Sequence, residues 1–175
     1  MVSKLNNIKN WTRQNLRDWF KDYENSSSSI KSFRADQVFK WLYQKKAENF
    51  DQMLNIGKGT RNLLKDHFFI SSLKAAEKLK SSDGSIKYRI LLDDGNSIES
   101  VFLPHKNHNT ICVSSQAGCA MGCDFCMTAK MGLIRNLETS EIVNQILTVL
   151  KELPEAKKIR NIVFMGMGEP FHNYK

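Results

Sequence analysis

Leu16, Trp19, Phe20 and Tyr23 recur at three- and four-residue spacing, which predicts a helix over Asn10 to Tyr23. The polar run Asn25 to Ser29 ends it. A second helix is predicted over Arg34 to Lys46, with Val38, Phe39, Leu42 and Tyr43 on its apolar side. Phe50, Met53 and Leu54 suggest a short third helix, and Thr60 is placed to cap a fourth through about Phe69. The pattern then changes to a period of two. Ile86 to Leu92 and Ser97 to Leu103 read as strands, with Asp93-Asp94-Gly95-Asn96 as the hairpin turn between them. Thr110 to Ser114 is a further short strand. Ile142, Val143, Ile146, Leu147 and Leu150 stripe a helix capped at Thr139 or Ser140 and ended by Pro154. The apolar run Asn161 to Met165, closed by Gly166, is the next strand. Strand, helix and strand at this spacing predict a right-handed parallel βαβ unit. Loops at the C-terminal strand ends of such units carry function, which sets Ser115 to Gly132 beside Gly166 to Pro170.

The 175 residues allow one or two domains, and 41% hydrophobic with 25% charged residues is ordinary globular composition. No apolar run is long enough to span a membrane, and Met1 to Trp11 has no apolar signal segment. The cytoplasm is the expected compartment. The net charge of +8 is unevenly placed. Residues 1–82 hold sixteen Lys/Arg against eight Asp/Glu, whereas residues 83–175 hold ten of each. A basic module beside a neutral one suggests an anionic partner, most often nucleic acid. A solvated basic surface is the plainer alternative.

Four cysteines lie between Cys112 and Cys126, which in a reducing compartment points to metal or redox chemistry. Cys119, Cys123 and Cys126 form C-x3-C-x2-C, able to hold three corners of an iron–sulfur cubane. A zinc site normally takes four ligands, and Cys112, His105 and His108 are awkwardly placed for it. Phe125, next to the third cysteine, is placed to shield a cluster from water. His105, His108 and His172 read as solvated loop residues.

The cysteine spacing with Phe125 before the last thiol resembles the radical S-adenosylmethionine superfamily. Gly166-Met167-Gly168-Glu169-Pro170 resembles its glycine-rich segment, in which Gly168 and Glu169 contact the amino group of S-adenosylmethionine. The stretch Thr110 to Cys119 (TICVSSQAGC), the segment Arg34 to Tyr43 (RADQVFKWLY) and Gly132 to Leu137 (GLIRNL) narrow the resemblance to RlmN-type enzymes. These methylate C2 of an adenosine in 23S rRNA and in tRNA. Pro170 after GMGE favours this type over the related adenine-C8 methyltransferases. The alternatives are another radical S-adenosylmethionine reaction on RNA, such as C8 methylation, and a zinc-containing RNA-binding module.

The resemblance implies a mixed α+β and α/β chain. Residues 1–80 would form a basic helical RNA-binding domain, 81–107 a β-hairpin connector, and 108–175 the start of a partial (β/α) barrel. It implies a [4Fe–4S] cluster on Cys119, Cys123 and Cys126, with S-adenosylmethionine as the second cofactor. Cys112 would be the cysteine that resolves an RNA adduct by forming a disulfide with a methyl-carrying cysteine. Glu99 would accept the C2 proton. The implied partners are 23S rRNA, tRNA and an electron donor such as flavodoxin; a membrane is not among them, and the full-length protein is expected to be a monomer. Family members are longer, and no cysteine here is left to carry the methyl group. The 175 residues alone are therefore expected not to methylate RNA.

Overall fold

The computed structural model describes residues 5–24, 32–106, 108–154 and 158–174. The chain divides into two compact units, Met1–Ser72 and Leu73–Lys175. No helix among the described residues is long and apolar enough to cross a membrane.

The first unit is helical. A two-residue strand β1 (Asn6–Asn7) leads into a 3-10 turn at Ile8–Asn10, and Thr12 Oγ1 accepts from the Asn15 N–H to open α1 (Arg13–Glu24). After α2 (Arg34–Tyr43), a 3-10 turn at Phe50–Gln52 is held by a reciprocal capping box between Asn49 and Gln52. Then come α3 (Lys58–His67) and β2 (Phe68–Phe69), the latter pairing in parallel with β1. The apolar positions that set the helical period fill the interior: Ile8, Leu16, Phe20, Val38, Leu42, Leu64 and Phe68 are buried together. Three helices differ from the sequence pattern in detail. The second stops at Tyr43, short of Lys46. The third is a single 3-10 turn. The fourth starts at Lys58 with Gly57 as N-cap, and Thr60 is buried inside it rather than capping it. The expected break at Asn25 to Ser29 lies outside the described residues.

The second unit is built on a five-stranded sheet. Its strands are β3 (Lys74–Lys80), β4 (Ile86–Leu91), β5 (Ser97–Leu103), β6 (Asn109–Cys112) and, last in sequence, β9 (Ile159–Val163), in the order β3-β4-β5-β6-β9. The first four strands are antiparallel neighbours, while β6 and β9 run parallel and are bridged by α4 (Thr139–Glu152). Tyr88, Ile90, Ile98, Phe102, Ile111 and Val113 bury one sheet face with Val149 and Leu153, and Ile142 and Ile146 pack on this core. A small antiparallel pair, β7 (Gln116–Gly118) and β8 (Leu133–Asn136), flanks the cysteine loop.

This arrangement corrects the expected boundaries. The hairpin is not a separate connector over 81–107, because β4 and β5 are central strands of the sheet. The first unit does not extend to residue 80, because Leu73 belongs to the second core and Lys74–Lys80 pairs with β4. That strand, KAAEKLK, is an exposed edge, and its charged side chains hide the period of two.

Candidate active site around the cysteine loop

The chain leaves β6 into a segment, Val113 to Gly118, that is buried at every position. Ser114 is its hub. The Ser114 N–H donates to Gln145 Oε1 at 2.8 Å, and Gln145 Nε2 donates back to the Ser114 carbonyl at 2.9 Å. Ser100 Oγ donates to the same Gln145 Oε1 at 2.7 Å. The Ser114 hydroxyl donates to the Glu99 carbonyl at 2.6 Å and accepts from the Met167 N–H at 2.9 Å. One α4 glutamine and one serine thus tie β5, the exit of β6 and the glycine-rich segment together. Buried polar groups satisfied in this way specify a single arrangement, since each broken bond leaves an uncompensated donor or acceptor.

The Gly166–Pro170 segment closes on this hub. Ser115 N–H and Gln116 N–H both donate to the Met167 carbonyl, at 2.9 and 3.2 Å. A Cβ on Gly166 would lie 2.7 Å from Ser114 Oγ. Gly168 has φ +96°, and a Cβ there would lie 2.5 Å from the Gln116 Cβ. Close packing against the cysteine-bearing segment therefore requires both glycines. The Glu169 N–H donates to Gln116 Oε1 at 2.9 Å, and Glu169 Oε1 accepts from the Phe171 N–H at 3.0 Å, opening the 3-10 turn Pro170–Asn173. Asn173 Nδ2 reaches back to the carbonyls of Ser115 and Leu137. The two loops that the sequence pattern set side by side are joined at Ser115 and Gln116, which hydrogen-bond to Met167 and Glu169.

Cys119 is buried at the start of the loop, Cys126 is half-buried and Cys123 is exposed. The Cys119 N–H donates to the Gly132 carbonyl at 3.0 Å, and a tight turn joins the Cys126 N–H to the Cys123 carbonyl. Backbone N–H groups of Ala129 and Thr128, with the Thr128 hydroxyl, hold the Cys126 thiol below its ordinary value. All four cysteines are free thiols. Phe125 is 93% exposed and covers no thiol. Among the described residues no three His, Cys, Asp or Glu groups are drawn together as a metal site. The donor set nevertheless fits an iron–sulfur cluster in kind: three thiols within eight residues, one of them biased toward thiolate. The glycine cradle and the Ser115 hydroxyl, which is buried without a hydrogen-bond partner, fit a wall completed by a polar ligand.

Cys112 and Glu99 occupy the other face of the sheet. Cys112 pairs with Val101, two residues beyond Glu99 on β5, so both side chains lie opposite the Ile98, Phe102 and Ile111 face that meets α4. Glu99 is 45% exposed and ion-paired with Lys87 at 2.9 Å. Cys112 is buried, and desolvation raises its thiol, opposed by a hydrogen bond from the Met165 N–H. His105 and His108 stack with ring centroids 4.5 Å apart. Sequence reasoning missed Ser114, Ser115, Gln116 and Gln145. The available signal was the polar set Asn144, Gln145 and Thr148 within the apolar stripe of α4; all three are buried.

Residues 6–70 match the ribosomal RNA large subunit methyltransferase N-terminal domain. The chain is 51% identical over 167 residues to the dual-specificity RNA methyltransferase RlmN of Desulfosudis oleivorans, covering 95% of this chain and 44% of that protein. It is 47% identical over 168 residues to the RlmN of Geotalea uraniireducens, covering 96% and 46%. A crystal structure of a radical SAM methyltransferase from Sphaerobacter thermophilus superposes with a TM-score of 0.82 at 35% identity, covering 97% of this chain and 49% of that one. The chain thus spans about half the length of the relatives it matches. Over that shared stretch, with its helical unit, its cysteine loop and its glycine segment, the chain belongs to the RlmN-type family of radical S-adenosylmethionine methyltransferases.

Proposed function

We propose that this chain supplies the RNA-docking unit and the cofactor loops of an enzyme that methylates C2 of adenosine in 23S rRNA and tRNA. The observation that carries the reading is the stitching of the C-x3-C-x2-C segment to Gly166–Pro170 through Ser114, Ser115 and Gln116. That stitching fixes a metal-type thiol loop against a carboxylate-bearing loop.

Cys119, Cys123 and Cys126 are the residues that would hold a [4Fe–4S] cluster. When bound, the cluster supplies the electron that S-adenosylmethionine chemistry requires. Glu169 and the Gly168 backbone would take the ammonium of S-adenosylmethionine, a cation matched by a carboxylate beside it. Cys112 would be the resolving cysteine; burial raises its thiol, so it would stay unreactive until a base or exposure generates the thiolate. Glu99, on the same sheet face, partly exposed and ion-paired with Lys87, would be the carboxylate that accepts the proton. Residues 1–72 carry thirteen Lys/Arg against seven Asp/Glu, a surface suited to RNA phosphates. The reading places the protein in the cytoplasm, as a monomer supplied with electrons by a flavodoxin-type donor.

Anaerobic reconstitution with iron and sulfide tests it. A brown protein with about four irons per chain, lost in Cys126→Ser, is the expected result. Colourless protein holding stoichiometric zinc would replace this reading with that of a zinc-stabilised RNA-binding module.

A further inference from the structure

We propose that Gln116 is a positioning residue for S-adenosylmethionine, acting through Glu169. The inference rests on the reading of Gly166–Pro170 as the segment that takes the ligand's ammonium.

Gln116 is fully buried, and both ends of its amide are used. Oε1 accepts from the Glu169 N–H at 2.9 Å, and Nε2 donates to Asn136 Oδ1 at 2.8 Å. Its own N–H donates to the Met167 carbonyl at 3.2 Å. Asn136, on β8 beyond the cysteine loop, continues the chain of bonds to the His172 carbonyl at 3.3 Å. The Glu169 residue is therefore gripped at two points. Gln116 holds its peptide nitrogen, and the Phe171 N–H holds its carboxylate. The left-handed Gly168 lies flat against Gln116, so the segment cannot settle deeper. A charge partner held in this way meets a cation without reorganising, and small misplacements of such a group weaken binding steeply. Gln116 also opens the buried strand β7, which ends one residue before Cys119. It consequently couples the place of the Glu169 carboxylate to the start of the cysteine loop. A glutamine that only filled space would be replaceable by an isostere; one that sets Glu169 would not.

The test uses the reconstituted chain and follows the electron paramagnetic resonance signal of the reduced cluster as S-adenosylmethionine is added. Gln116→Met keeps the volume and removes both polar ends. It should retain about four irons per chain, while the titration midpoint rises about tenfold or more, the effect of leaving a buried N–H unpaired. Gln116→Glu, carried as the neutral acid in this buried site, keeps an acceptor for the Glu169 N–H and a donor for Asn136 Oδ1, and should bring the midpoint back to within about threefold of the wild type. Gln116→Asn, one methylene too short to reach Glu169, should behave as Gln116→Met and carries the comparison if that variant fails to fold. A Gln116→Met or Gln116→Asn chain that titrates like the wild type, or a Gln116→Glu chain as weak as both, would overturn the role of Gln116 alone. A wild-type chain with full iron and no spectral response to S-adenosylmethionine would overturn it together with the reading of Gly166–Pro170.

Discussion

The two units of the chain solve the burial problem in opposite ways. In Met1–Ser72 most of the large apolar side chains point inward, with Leu5, Phe33, Leu54 and Phe69 left exposed. Trp19 joins the edges of Phe20, Tyr23, His67 and Phe68 at centroid distances of 4.8 to 5.4 Å, and capping side chains finish the turns locally. Leu73–Lys175 buries one face of its sheet against α4. It leaves Ile162, Phe164, Met165, Phe171 and much of the cysteine loop exposed, with Met165 at 81%. Its order at that end comes from buried hydrogen bonds through Ser114, Gln116 and Gln145 rather than from apolar packing. A unit closed by apolar contacts has the character of a rigid docking module. A unit whose loops are held by directional polar bonds fixes the placement of individual atoms, which is what cofactor chemistry needs.

Substitutions in each unit can separate the two kinds of stability. All three tryptophans, Trp11, Trp19 and Trp41, lie in the first unit, so their fluorescence reports it alone. The far-ultraviolet dichroism reports both. Phe20→Ala should cost about 3–5 kcal/mol through a cavity at a fully buried site and shift the fluorescence transition. The sheet's transition should stay in place. Gln145→Leu should cost about 2–4 kcal/mol by orphaning the Ser114 backbone and the Ser100 hydroxyl. It should lower only the component of dichroism that tryptophan fluorescence does not follow; coincident shifts in both signals would show that the two units do not unfold separately.

Gly168→Ala comes next. Its φ of +96° costs an L-residue about 1–2 kcal/mol before the collision with Gln116 is counted, so urea unfolding of the sheet should shift by at least that much. The smallest effect is a pH dependence in the first unit. Hydrogen bonds from Arg17 and Arg13 hold the Asp36 carboxyl below its ordinary range. Because the folded value is the lower one, this stabilisation is complete above about pH 4 and fades as the pH falls through the depressed value. Asp36→Asn should flatten the acid limb of the fluorescence-monitored melting temperature; an unchanged limb would show that the pair contributes nothing.

The sequence was legible where a period repeats over several turns or strands. The helical spacing of Leu16, Trp19, Phe20 and Tyr23 located α1, and the alternation in Ile86–Leu91 and Ser97–Leu103 located the hairpin, with Gly95 in the left-handed conformation its turn requires. It was illegible where the signal is shorter than one period or masked by charge. Strand β3 reads as a lysine-rich segment, and β7 and β8 span only three and four residues. The cysteines and the GMGEP segment were visible as motifs because their chemistry needs those residue types. The side chains that hold them in place were not, since Ser114, Gln116 and Gln145 become a network only when strands distant in sequence meet. The ring of Phe125 was likewise not legible, since neighbouring a cysteine in sequence does not fix the direction of a side chain.

We propose a division of labour, with RNA held by the basic helical unit and cofactors by the cysteine-loop unit. The most direct test is the affinity of the chain for a structured RNA across about 50 to 200 mM salt, compared with a Cys119→Ser, Cys123→Ser, Cys126→Ser variant that holds no iron. Equal affinities and the same steep loss with salt are expected in both proteins. RNA binding that disappears with the three thiols, or that does not change with salt, would contradict it.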